Sequence, residues 1–325
     1  LLNVSIFKWM IKPYPNFLFF LIFIFIFPWF TGLILTPIYP LDKTLSVASI
    51  QPNIHLSQKW KPGAVKANLE NLLSLSKPFI KDKIDLVVWP ESATSSYLLN
   101  TNKKNLDWIQ SELGQTYLLS GIPYYENIDN NRYIYNSIAM ISRDSVFGIY
   151  NKMALVPLAE YIPFSNYFPK LKNLNIGQAN FTKGSDYKIF TVNDVNIGSM
   201  VCFESVIPSI NSEFVRRGAE ILVYVVNDGW YEYPPEPQQH AKQAVYRAIE
   251  NRRAVVRSTN TGISMIIDPN GNIKKKISLN KSGVIADNIV ALNNLTFYSK
   301  NGDIFAQFNV LLSMILIIGI LFRKK

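Results

Sequence analysis

The apolar and polar positions divide the chain into three blocks. Residues 13–41 carry no charge, and 17–38 reads FLFFLIFIFIFPWFTGLILTPI. A helix rising about 1.5 Å per residue needs roughly 20 such residues to cross a bilayer core, so the run predicts a transmembrane helix. Pro28 and Gly32 are tolerated in such a setting. A secretory signal has a shorter apolar region of about 7–15 residues and a small-residue cleavage site. No such site follows here, and the helix is read as retained. The second run, IFAQFNVLLSMILIIGILF at 304–322, lies between Asp303 and Arg323. It predicts a second transmembrane helix, with a buried core helix as the alternative because Gln307 and Asn309 interrupt its start.

Between the runs, residues 42–303 alternate short β-branched segments with helical periodicity. Leu45–Gln51, Asp85–Trp89, Leu118–Gly121, Ile134–Ser142, Val146–Tyr150, Val195–Val201 and Ile221–Val226 read as strands. Lys66–Ser76 and Gln238–Arg252 space their apolar residues at about 3.6 and read as helices. Ile263–Lys275 reads as a hairpin turning at Pro-Asn-Gly. The alternation predicts one α/β or α+β domain over 42–303, with an N-terminal segment (1–41) and a C-terminal helix with a basic tail (304–325) on either side.

Charge then orients these blocks. Lys and Arg number 33 against 23 Asp and Glu, a net charge of +10. Half of that excess comes from Lys8, Lys12, Arg323, Lys324 and Lys325, beside the apolar runs, so it argues for a membrane and against nucleic acid. Basic flanks prefer the cytoplasmic side, which places both ends inside and residues 42–303 outside. The chain opens on Leu-Leu, and Leu1–Met10 is itself apolar, as expected of the C-terminal part of a longer multi-span protein. Cys202 is the one cysteine and His55 and His240 are the two histidines. An internal disulfide is excluded, and no metal site or cofactor motif is expected.

Three reactive residues follow strand-like runs: Glu91 after DLVVWP, Lys152 after VFGIYN and Cys202 after VNIGSMV. Singly, each has an ordinary reading as a buried thiol, a helix-start carboxylate or a solvated lysine. Together they make a set capable of acyl transfer. A thiol with pKa near 8.5 needs a base to become a nucleophile, a carboxylate can take its proton, and an ammonium can stabilise the oxyanion formed on attack.

The flanking motifs carry a resemblance. WPES at 89–92, YNKMALVPLAEYIPF at 150–164 and GSMVCFES at 198–205 resemble the Glu-Lys-Cys signatures of the nitrilase superfamily. SIQPNIHLSQKW at 49–60, NDGW at 227–230 and QHAKQAVYRAIENRRAVVRSTNTGIS at 239–264 narrow the resemblance to the apolipoprotein N-acyltransferases. The resemblance implies a nitrilase-like four-layer α-β-β-α sandwich flanked by transmembrane helices, on the periplasmic side of the bacterial inner membrane. It implies Cys202 as nucleophile, Glu91 as general base and Lys152 as oxyanion-stabilising cation, with the Phe203 N–H as a further oxyanion donor. Trp60, Glu160, Phe203 and Glu204 are implied as supporting residues. A packing role is the alternative for Trp60, and a helix cap for Glu204. The implied substrates are a phospholipid acyl donor and a diacylglyceryl-modified lipoprotein, with no cofactor.

Three departures accompany the resemblance. Phe203 stands where many relatives carry Tyr, Leu158-Ala159 where Phe-Gly is common, and YEYPPEPQ follows Trp230. The aromatic stretch 161–168 is a candidate lid. A membrane-tethered carbon–nitrogen hydrolase and a non-catalytic lipoprotein-binding scaffold are the competing readings.

Overall fold

The computed structural model describes residues 6–7, 10–12, 15–34, 36–163, 167, 170, 180–230 and 235–323. The chain forms two compact units, Leu1–Pro40 and Leu41–Lys325. In the first, helix α1 (Pro15–Ile34) carries no charged residue and is mostly apolar.

The second unit contains two six-stranded sheets. The first is built from β1 (Thr44–Gln51), β2 (Leu86–Trp89), β3 (Tyr117–Ile128), β4 (Asn131–Ile141), β5 (Val146–Asn151) and the late strand β12 (Gly283–Val290), in the order β12-β1-β2-β3-β4-β5. The second holds β6 (Ile189–Val192), β7 (Val195–Val201), β8 (Ile221–Val226), β9 (Ala254–Thr259), β10 (Ser264–Ile267) and β11 (Ile273–Ile277), in the order β11-β10-β9-β8-β7-β6. Each sheet has three parallel central strands, β1-β2-β3 and β7-β8-β9, with antiparallel strands outside them. Parallel neighbours require crossover connections, and helices supply them. These are α2 (Ala64–Lys81) and α3 (Lys103–Leu113) for the first sheet, and α4 (Pro208–Arg216) and α5 (Glu236–Asn251) for the second.

Strand alternation sends successive side chains to opposite faces, and both faces here are covered. In β1 and β2, Leu45, Val47, Leu86 and Val88 join residues of the second sheet in one core. Ala48, Ile50, Val87 and Trp89 point the other way and pack with Leu69, Leu72 and Leu73 of α2 and Ile109 of α3. The second sheet is covered in turn by Phe214 of α4 and Ala241, Ala244 and Ala248 of α5. The result is the four-layer α-β-β-α order that the sequence resemblance implies. Polar bonds stitch the layers together as well. The Ser258 hydroxyl lies 2.9 Å from the Ile50 carbonyl and 3.1 Å from that of Val88, so the two sheets are joined across their core.

The last helix, α6 (Ile304–Arg323), is again apolar, with side chains such as Phe305, Leu311 and Leu316 exposed. Residues 22–34 of α1 and 304–319 of α6 are the longest unbroken stretches of these helices whose side chains are described. Among the described residues, no helix is long and apolar enough to cross a membrane. Residues 164–166 and 168 of the candidate lid, and residues 231–234 of the proline-rich segment, lie outside the described residues.

Candidate active site

The parallel strands β2 and β7 deliver Glu91 and Cys202 at their carboxyl ends, and Lys152 follows β5 directly. Loops beyond strand ends are where α/β architectures gather their reactive groups. Here the three meet in one electrostatic cluster, since Glu91 and Lys152 both act on the Cys202 thiol.

Lys152 is buried, and its ammonium donates to Glu160 Oε1 at 2.8 Å and lies 2.8 Å from Oε2 of the same carboxylate. The Asn136 side-chain amide donates to Glu91 Oε1 at 2.7 Å and to Glu160 Oε1 at 3.1 Å. One amide therefore holds two buried carboxylates in fixed register. Lys59, also buried, donates to the Glu91 carbonyl oxygen at 3.0 Å. Gly121 of β3 packs against the Glu91 turn so closely that a Cβ there would lie 2.5 Å from Glu91 Cα. Glycine at this position is a requirement of that approach.

Cys202 has φ +48°, in the left-handed region, and Ser92 and Leu158 share that conformation at φ +50° and +68°. Such a conformation costs a non-glycine residue roughly 1–2 kcal/mol. Cys202 is the expected nucleophile, Ser92 follows Glu91 directly, and Leu158 lies two residues before Glu160. Cys202 is only partly buried. It opens onto a cavity of about 430 Å³ lined by Val156, Phe203, Val206, Gln239, His240 and Gln243, among others.

Burial pushes the Cys202 thiol well above its ordinary range, and the Glu91 charge adds to this while Lys152 opposes it. Burial also raises the Glu91 carboxyl, with Lys152 the main force holding it down. Burial works against the Lys152 ammonium, yet the charges of Glu91, Cys202 and Glu160 outweigh it and lift Lys152 above the usual lysine value. Lys59 goes the other way, lowered to about 8 by burial against the pull of Glu91. Burial therefore raises the proton affinity of both the thiol and the carboxylate placed to take its proton, with Lys152 opposing the rise at each.

Of the supporting residues expected from sequence, Glu160 contacts Lys152 directly. Glu204 is fully buried and does not cap a helix alone. Its carboxylate accepts from the Tyr150 hydroxyl at 2.8 Å, from the Met153 and Ala154 N–H groups at 2.7 and 3.0 Å, and from the Val201 N–H at 2.9 Å. It ties the nucleophile turn to the loop carrying Lys152. Phe203 lines the cavity with its ring partly exposed. Trp60 is half-exposed, its ring centroid 5.9 Å from Lys59 Nζ, and the residue reaching Glu91 from this segment is Lys59.

Sequence reasoning passed over Asn136, Lys59 and a further group behind the cysteine: Asp228, His240 and Arg257. Asn136 left one trace, a carboxamide inside the apolar strand pattern YIYNSIAM. Lys59, Asp228, His240 and Arg257 fall within the motifs SIQPNIHLSQKW, NDGW and QHAKQAVYRAIENRRAVVRSTNTGIS, but their partners are distant in sequence, so the motifs alone give them no role. Among the described residues, no group of three or more His, Cys, Asp or Glu is placed to hold a metal ion.

Residues 46–292 match the family model described as carbon-nitrogen hydrolase. The chain belongs to the carbon–nitrogen hydrolase family. Within reach of this family, it is similar to the apolipoprotein N-acyltransferase of Geobacter metallireducens, with 34% identity covering 80% of this chain and 50% of the relative. It is also similar to that of Chlorobaculum tepidum, with 32% identity covering 81% and 55%. The chain thus spans about half the length of these curated relatives. Among solved structures, a carbon–nitrogen hydrolase from Helicobacter pylori G27 superposes with a TM-score of 0.59 at 19% identity, covering 76% of this chain and 89% of its own. An amidase from Nesterenkonia sp. AN1 gives 0.59 at 13% identity, covering 84% and 99%. These likenesses establish the carbon–nitrogen hydrolase fold.

Proposed function

We propose that this chain is the catalytic portion of a membrane-bound apolipoprotein N-acyltransferase. Cys202, on its left-handed turn at the edge of an open cavity with Glu91 and Lys152 bearing on it, is the observation that carries the reading. In the first step Glu91 takes the thiol proton and the sulfur attacks the ester carbonyl of a phospholipid. The C–S bond forms, and the oxyanion is held by the Lys152 ammonium and the Phe203 N–H. Collapse breaks the ester C–O bond, and Glu91 returns the proton to the departing glycerol oxygen of the lysophospholipid. In the second step the free α-amine of a diacylglyceryl-modified lipoprotein cysteine attacks the thioester. The C–N bond forms, the C–S bond breaks, and Glu91 carries the amine proton to the sulfur.

A lipid donor and a lipid-modified acceptor are reached most readily by an enzyme fixed to the bilayer. The uncharged sequence runs at 17–38 and 304–322 are of the length that roughly 30 Å of hydrocarbon core requires of a helix. In this reading they span a bacterial inner membrane, with the two-sheet domain between them on the periplasmic side. The flanking lysines and arginines support that orientation.

The test is the intact mass of detergent-solubilised protein after incubation with phosphatidylethanolamine, before and after hydroxylamine. A fatty-acyl mass gain on Cys202 that hydroxylamine removes is expected, together with its loss in Cys202→Ala. Acylation surviving in that variant overturns the assignment. Membership of the carbon–nitrogen hydrolase family supports a second reading, hydrolysis of small amides by the same residues. Ammonia release from short amides without lipid would favour it.

A further inference from the structure

Behind Cys202 lies a set of side chains for which the two-step chemistry above has no use. Asp228, just after β8, is fully buried between Arg257 and His240. Its Oδ2 accepts from Arg257 at 2.9 Å, and its Oδ1 faces His240 Nδ1 at 2.8 Å. The charges of Arg257 and His240 overcome burial and hold the Asp228 carboxyl at about 2. The carboxylate thereby fixes the imidazole, since only a ring N–H can satisfy it. At the other side of that ring, Nε2 lies 3.3 Å from the Cys202 carbonyl oxygen and 3.1 Å from Ser205 Oγ. Ser205 Oγ donates to the same Cys202 carbonyl at 2.6 Å.

That carbonyl is one end of a planar peptide group whose other end is the Phe203 N–H. The two point in opposite directions, so whatever holds the oxygen also aims the hydrogen. At Cys202 this restraint matters, because φ +48° is a conformation the backbone leaves unless its surroundings hold it. We infer that His240, held by Asp228 and Arg257, is a positioning residue that fixes the Cys202–Phe203 peptide so that the Phe203 N–H points at the developing oxyanion. The Cys202 oxygen is thus held from two sides, by the Ser205 hydroxyl donating at 2.6 Å and by the His240 ring edge at 3.3 Å. The inference rests on the acyl-transfer reading only in needing an oxyanion, which any acyl donor supplies.

The experiment compares two reactions of Cys202 in the full chain, His240→Leu and His240→Gln. Acylation by p-nitrophenyl hexanoate, read as the nitrophenolate burst, passes through an oxyanion. Alkylation by iodoacetamide does not, and Cys202, as the one cysteine, is the thiol it reports. Leu fills space without a donor, whereas the Gln amide places an N–H near the Nε2 position. We expect His240→Leu to slow the burst at least tenfold while alkylation stays within about twofold of wild type. His240→Gln should recover most of the burst rate at an unchanged Tm. The inference is overturned by a wild-type burst in His240→Leu, by equal loss of both reactions, by a Gln variant as slow as Leu, or by a wild-type thiol that alkylates but never acylates. A wild-type chain acylated by the nitrophenyl ester but not by phospholipid would remove the phospholipid reading and leave this one standing.

Discussion

Lys152 Nζ lies 2.8 Å from each carboxylate oxygen of Glu160, with both side chains buried. The ammonium is therefore already partnered before substrate arrives, and Glu91 is left free of a direct ion pair with it. Because Asn136 bridges the two carboxylates, Glu160 also fixes the geometry of Glu91.

Removing Glu160 should redirect that lysine. In Glu160→Ala the nearest anion for Lys152 is Glu91, and an ion pair between them would take the base out of use. We expect acyl-enzyme formation to fall by about 10²–10³, the scale seen when one oxyanion-site donor is lost. Glu160→Gln keeps an acceptor for the ammonium and should lose about tenfold or less. Rates of acyl-enzyme formation followed by intact mass check both. Equal losses in the two variants would assign Glu160 a role by charge alone.

Glu91 acts on Cys202 in two opposed ways, and substitution separates them. As an anion it raises the thiol's proton affinity, and as a base it removes that proton. Glu91→Gln should move the iodoacetamide pH–rate profile of Cys202 to lower pH, since the repelling charge is gone and Lys152 remains. The same variant should lose about 10²–10⁴ in acyl transfer, the usual contribution of a general base. In the wild type, the raised Glu91 carboxyl must be ionised to work, so activity should fail on the acid side at a pH above the ordinary carboxylate range. An acid limb near pH 4 would contradict the raised carboxyl.

How much of this was readable from sequence depended on the range of the interactions involved. Val195–Val201 and Ile221–Val226 are strands over the residues expected, because a strand buried on both faces is a continuous apolar run. Strand β3 extends to Ile128, well past the expected Gly121, since its distal half, half-exposed and polar in part, is held by pairing with β4 rather than by its own pattern. Strand β12 has no clear strand signature of its own. Its GVIADNIV pattern is mixed, and it is recruited by β1, more than 200 residues away. The site divides in the same way. Glu91, Lys152 and Cys202 follow recognisable strands, but Asn136, Lys59 and Asp228 have meaning only through partners that the fold brings to them.

Gly121 offers a test that separates position from stability. A Cβ at this residue would meet Glu91 Cα at 2.5 Å, the Pro90 carbonyl oxygen at 2.7 Å and the Ser92 nitrogen at 2.9 Å. All three are backbone atoms, so no side-chain rotation relieves the contact. In Gly121→Ala the turn carrying Glu91 must shift by several tenths of an ångström, with overpacking costing about 1–3 kcal/mol. Acylation should fall by about 10²-fold, as expected when a reacting group is displaced on the ångström scale. The check is the burst rate measured below the variant's Tm. A stable variant with normal rate would show that the turn tolerates displacement.

Asp228 gives a stability prediction whose sign follows from its environment. Its carboxyl is depressed from 3.8 to about 2 in the folded chain, so folding favours its ionised form. That contribution is fully present above the unfolded value and is lost as pH falls through the folded one. At about 1.4 kcal/mol per unit of difference it amounts to roughly 2 kcal/mol. Asp228→Asn loses it at every pH and also leaves the Arg257 guanidinium without its buried anion, a defect worth about 3–5 kcal/mol when a buried pair loses one partner. At pH 7 the variant should therefore melt several degrees below wild type in detergent. Between pH 4 and pH 2 the gap should narrow, because the wild-type carboxylate is then being protonated too. Comparing the two proteins at each pH cancels the raised carboxyls of Glu91 and Glu204, which titrate alike in both. A gap constant across that range would mean that Asp228 is not held ionised by Arg257 and His240, and the restraint on the Cys202 carbonyl would lose its anchor.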